Sequence, residues 1–188
     1  LKFNPFAQKG LTDWLVEQKI EVVSPVLADF FMQGFVNRDV KLRTGLEKSR
    51  IPDWLMRRIF AWMQGIIVSY NAAASSFEYF RPLGNIYHEA AAASKIISLN
   101  ARFGEGWLLP GEIATFAASG VNNVVSLQPF GCIANHIVAK GVEKRIKTLY
   151  PQMNLLSLDF DGSVSDVNIT NRLLLFIDNL KKGGSDAK

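Results

Sequence analysis

Apolar and polar positions along this chain follow two rhythms. From Leu11 to Lys19, Leu11, Trp14, Leu15 and Val16 stand among polar neighbours at helical spacing. That spacing predicts a helix, with Gly10 at its start. Ile20 to Val23 is a short apolar run closed by Pro25, which predicts a strand. Leu1 to Phe6 reads as a strand already under way. The chain is thus expected to open strand, helix, strand, the order of a parallel sheet.

From Val26 to about Asn100 the spacing turns helical almost throughout. Pro52 stands where a helix can begin, and Trp54, Leu55, Ile59, Trp62, Met63, Ile66 and Ile67 follow at helical steps. Pro82-Leu83-Gly84 is expected to stop that run. Ile86 to Leu99 is rich in Ala, the strongest helix former.

The alternation of strand and helix then returns. Pro110 to Ser119 predicts a helix with Gly120 past its end. Asn123 to Leu127 predicts a buried strand, Ala134 to Leu149 a helix stopped by Pro151, and Leu155 to Leu158 a second buried strand. Val167 to Leu180 closes the chain as an amphipathic helix, with Ile169, Leu173, Phe176, Ile177 and Leu180 facing inward.

Together these elements predict an α/β fold, a Rossmann- or flavodoxin-like open parallel sheet with helices on both faces and a helical insertion. Residues 1–25 supply its first strands, 26–100 the insertion, and 101–180 the remaining units. Residues 181–188 are expected to form a disordered polar tail.

Composition narrows the function classes. Of 188 residues, 48% are hydrophobic and 20% charged, enough to bury a core. The net charge of +4 is spread thinly, in runs no longer than Arg57-Arg58, Lys144-Arg145 and Lys181-Lys182. No nucleic-acid partner is expected from that pattern. No apolar stretch approaches the roughly 18 to 20 residues of a membrane span, and a cytoplasmic location follows as the default. The chain opens without Met, so it is read as a segment of a longer protein.

Open parallel sheets bind ligands beyond the carboxyl ends of their strands. Two loops are predicted there. The first, Gln128-Pro129-Phe130-Gly131-Cys132, ends on the only cysteine of the chain, at or near a helix start. Helix N-termini favour negative charge, and a thiolate is the nucleophilic and metal-ligating form of cysteine. The alternative is that Cys132 is a small buried hydrophobe. His136 lies one helical turn on and shares the face of Cys132. One Cys and two His cannot build a self-contained four-ligand zinc site.

The second loop, Leu158-Asp159-Phe160-Asp161-Gly162-Ser163, resembles the first motif of haloacid-dehalogenase-like phosphatases. In that family Asp159 and Asp161 would serve as nucleophile and acid/base beside Mg²⁺. The motif stands too late in the chain, because only one helix follows it. Gly104-Glu105-Gly106-Trp107 is a third unusual string, either an approach loop for a ligand or a connection into the helix at Pro110.

Three strings in order suggest a family. They are Gly104-Glu105-Gly106-Trp107-Leu108 with Gly111-Glu112, then Gln128 to His136, then Leu158-Asp159-Phe160-Asp161 with Asn168 and Asn171-Arg172. The chain resembles the C-terminal part of the 2-hydroxyacyl-CoA dehydratase subunit family, in the version fused to an activase-type ATPase. Asn4-Pro5-Phe6 and Ser24 to Phe31 fit that version. The resemblance covers most of the chain.

It implies an anaerobic protein with a [4Fe–4S] cluster that serves ATP-driven electron transfer to an acyl-CoA. Cys132 matches the last of the cluster's cysteine ligands. Phe130 and Gly131 would shape its loop, with Glu105 and His136 as neighbours of the cofactor. Clusters are held by several thiolates and this chain has one. The isolated chain is therefore expected to bind no stable cluster and to hold no complete catalytic site. The implied partners are the remainder of the parent chain, a dehydratase or activase subunit, and the acyl-CoA. A non-catalytic module of the same ancestry, used for docking or CoA-ester binding, is the alternative.

Overall fold

The computed structural model describes residues 2–160 and 166–185. The chain divides into two compact units, Leu1–Ser24 with Ile113–Lys188, and Pro25–Glu112.

The first unit is built on a parallel pair of strands, β1 (Asn123–Pro129) and β2 (Asn154–Phe160). Both are apolar runs, Val124-Val125 and Leu127 in one, Leu155-Leu156 and Leu158 in the other. Their register sets Val125 opposite Leu156, Leu127 opposite Leu158, and Pro129 opposite Phe160. Side chains alternate across a strand, so these residues share one face. That face packs on Leu11 and Leu15 of α1 (Leu11–Glu17) and on Ile169, Leu173 and Ile177 of α7 (Asp166–Ser185). The α7 positions recur at steps of four, the stripe a helix needs to lie on a sheet. Leu158 is wholly buried there, worth about 1.5–3 kcal/mol against exposure.

The opposite face carries Ser126 and Gln128 of β1 against Ser157 and Asp159 of β2. The crossover between the strands contains a π-helical segment, Ala134–Ala139, and α6 (Glu143–Leu149). The single helix expected over Ala134 to Leu149 is thus widened at its start and broken near Val142. Ile146 of α6 is fully buried.

An α/β arrangement with parallel strands is present. Two predicted strands are not. Residues 2–10 form turns, because Asn4 Oδ1 accepts the N–H groups of Phe6 at 3.0 Å and Ala7 at 3.2 Å, around Pro5. Ile20 to Val23 makes no ladder. Lys19 takes a left-handed conformation (φ 66), its N–H donating to Val16 O, while Ile20 N–H donates to Leu15 O. This closes α1 as a helix C-terminal motif, and Ile20 packs into the core beside it. The described sheet therefore has two strands.

The second unit holds α2 (Leu27–Arg43), α3 (Asp53–Ala74), α4 (Ile86–Ser94) and the first turn of α5 (Leu108–Ala118). The boundary falls inside α5, between Glu112 and Ile113, beyond the Asn100 expected from sequence. The core combines Met32, Val36, Ile67, Ile86, Ala90, Ala93, Trp107 and Leu108. Helix α3 ends at Ala74, before Pro82, and α4 ends at Ser94, short of Leu99. Asn85 Oδ1 caps α4 by accepting Tyr87 N–H at 2.9 Å.

Residues 181–185 continue α7, so the helix passes the point where a disordered tail was expected. Residues 186–188, Leu1 and the Asp161-Gly162-Ser163 part of the second loop singled out from sequence lie outside the described residues. Among the described residues no helix is long and apolar enough to cross a membrane.

Candidate functional site

The carboxyl edge of β1 and β2 gathers most of the predicted site. Phe130 N–H donates to Phe160 O at 3.1 Å and adds one rung past the paired strands. Gly131 then turns the chain with φ 75, a conformation that favours glycine. Cys132 N–H donates back to Pro129 O at 3.1 Å, and Cys132 O accepts His136 N–H at 2.9 Å. Cys132 thus stands at the entry to the π-helical segment. Single π-turns of this kind are frequent at functional sites.

Cys132 is a free thiol of intermediate exposure, not a sealed core residue. Phe130 beside it is 74% exposed, and Ile133 is also exposed. Asn135 Nδ2 donates to Cys132 Sγ at 3.2 Å.

His136 faces two acceptors. Its Nδ1 lies 3.1 Å from Cys132 O and its Nε2 lies 3.2 Å from Asp159 Oδ1. The contact with Asp159 is one of proximity, because Asp159 Oδ1 is buried without a hydrogen-bond partner among the described residues. Each ring nitrogen thus lies near a protein oxygen. The resemblance implies His136 as a neighbour of the cofactor. In the structure its ring lies between the Cys132 carbonyl and the Asp159 carboxylate of β2.

Asp159 joins this group from β2, directly opposite Gln128. Gln128 is fully buried, and neither atom of its amide has a hydrogen-bond partner among the described residues. Gln128 and Asn135 were not singled out from sequence. Polar identity alone gave no sign that they are buried.

Glu105 belongs to the Pro25–Glu112 unit, whereas Cys132 and His136 belong to the other. Its carbonyl accepts Leu108 N–H at 2.7 Å and so caps α5. Gly106 after it serves a close approach of backbone to backbone. A Cβ on Gly106 would lie 2.2 Å from Ala101 O, and Trp107 N–H donates to that same oxygen at 2.7 Å. The close approach at Gly106 therefore seats Trp107 against Ala101.

The donor chemistry bears on the implied cluster. The chain has one cysteine, and among the described residues no group of three or more His, Cys, Asp or Glu could hold a metal ion. The residues present do not fit a complete cluster site. They fit at most one thiolate corner of it.

No protein-family model, curated protein or solved structure matches the chain.

Proposed function

We propose that this chain is the C-terminal α/β part of a protein related to the 2-hydroxyacyl-CoA dehydratases and their activators. In this proposal Cys132 is one ligand of a [4Fe–4S] cluster whose remaining thiolates lie outside the chain. The finer fold is of Rossmann or flavodoxin type, with the strand pair continued by other elements of the parent. The parent works in an oxygen-poor cytoplasm and passes electrons, driven by ATP, to an acyl-CoA.

The observation that carries the proposal is the station of the sulfur. It stands partly exposed beyond the carboxyl ends of parallel strands, where such sheets place ligands. A helix entry there favours an anionic group, and Gly131 and Phe130 shape the loop around it. Glu105 has no assigned part in the proposal, and His136 acts as a support.

The test is a Cys132→Ser variant of the full-length parent, prepared without oxygen. A loss of bound iron and sulfide is expected. Unchanged iron and sulfide content removes the proposal. Binding of a CoA ester by a cluster-free parent with unchanged affinity in that variant would favour the docking or CoA-ester-binding module. The phosphatase alternative has less support, because its motif stands late in the sequence, with α7 the one described element after it. It requires Mg²⁺-dependent phosphatase activity, and none is expected.

A further inference from the structure

The Cys132 backbone and sulfur are held by different residues. His136 takes the carbonyl, through its backbone N–H and its ring. Asn135 takes the sulfur, through Nδ2 at 3.2 Å. Asn135 is only 4% exposed, so water competes little for that bond. Among the described residues no other hydrogen bond to Sγ is recorded.

A second observation marks this edge as a place that receives something. Gln128 is 0% exposed, and its Oε1 and Nε2 both lack a partner among the described residues. Buried amide atoms are almost always paired, and each one left unmet costs about 1–3 kcal/mol. Gln128 pairs in register with Asp159, so the two side chains leave the sheet on the same face. Asp159 in turn meets His136, the residue next to Asn135. The unmet amide therefore points to the side on which the sulfur is held.

We propose that Asn135 is the positioning residue of the Cys132 sulfur. Its buried amide aims the sulfur and supports negative charge on it, while the thiolate alone is the ligating or reacting group. Hydrogen bonds to a ligand sulfur are a principal means by which a protein tunes a metal-bound thiolate. The inference rests on Cys132 being the functional atom, as proposed above. Its test needs no metal, so its failure is distinct from a failure to find iron in the parent.

Two measurements on the chain decide it. In two-dimensional ¹H–¹⁵N spectra, the Asn135 side-chain NH₂ pair is expected to move on Cys132→Ala. Separately, Cys132 is alkylated with iodoacetamide at one fixed pH, in the native and in the denaturant-unfolded chain. Asn135→Leu removes the donor, and Asn135→Asp keeps the outline while replacing the donor with an acceptor. The native-to-unfolded rate ratio is expected to fall roughly three- to tenfold in both, the fold-change of about one net hydrogen bond. Circular dichroism establishes that each variant is folded under the assay. Should neither fold, the spectral comparison decides alone. An Asn135 signal indifferent to Cys132→Ala overturns the proposal, as do unchanged rate ratios in folded variants.

Discussion

The indole of Trp107 is wholly buried and donates its one N–H to Asn37 Oδ1 at 2.7 Å, across 70 residues of chain. An indole nitrogen can only donate, so Asn37 is what makes burial of this ring tolerable. The bond links the loop before α5 to α2 within the Pro25–Glu112 unit.

Asn37→Ala is therefore expected to destabilise that unit by about 1–3 kcal/mol, the penalty for an unmet buried donor. Combining it with Trp107→Phe should be less harmful than the sum of the two single changes, because Phe has no N–H to leave stranded. Urea unfolding of the four chains measures this coupling. Strict additivity would count against the bond.

Gly106 and Gly120 make a controlled comparison. Both have positive φ, 42 and 82. A Cβ at Gly106 meets Ala101 O at 2.2 Å, while a Cβ at Gly120 meets nothing within 4 Å. Gly120→Ala should cost roughly 1–2 kcal/mol, the backbone strain alone. Gly106→Ala should cost more, about 3 kcal/mol or above, since backbone must shift. Urea midpoints of the two variants in the reverse order would refute the geometry.

Tyr87 gives a prediction at high pH. Burial first, and then its hydrogen bond to Asp39, push the phenol up to about 12 from an ordinary value of 10.0. Its hydroxyl donates to Asp39 Oδ2 at 2.8 Å. The folded chain thus keeps a proton that the unfolded chain has lost between those values. The contribution is complete below about pH 10 and is lost as the pH rises toward 12. Wild-type stability should fall more steeply over that window than that of Tyr87→Phe. Parallel slopes in chemical denaturation would contradict it.

Arg38 closes the segment between α2 and α3. It donates to Ser49 Oγ at 2.8 Å and Ile51 O at 3.2 Å, and pairs with Asp53. Arg38 holds the Asp53 carboxyl below its usual range, chiefly by hydrogen bonding. Arg38→Lys keeps the charge but loses the fork that reaches several oxygens at once. Faster amide exchange in residues 45–51 is expected, with little change in α4. Unaltered exchange across the segment would show that the fork is dispensable.

How much was legible before the coordinates depended on whether a signal was local. Pro52, Gly10 and Gly120 mark element ends because each constrains one backbone position, and β1 and β2 stand out as short runs rich in Val and Leu. Ile20 to Val23 misled for the opposite reason. Ile20 serves the helix end, and only the left-handed Lys19 gives this away. The Cys132 loop and His136 were visible from turn residues and helical spacing. The meeting of His136 with Asp159 was not, because it depends on strand register between distant segments. Asn135 and Gln128 could not be found, since a buried amide and a solvated one are spelled alike.

The order in which the two units occur along the chain has a consequence for biosynthesis. Pro25–Glu112 is one unbroken stretch, so all of its core has been translated once α5 begins. The other unit is discontinuous. Leu11 and Leu15 emerge first, yet their partners Leu158, Ile169 and Leu173 are translated last. The nascent α1 must wait until β2 and α7 have been made before its apolar positions find these partners. Translation thus imposes a sequence of events in which the inserted helices fold early and the thiol-bearing edge is finished at the end.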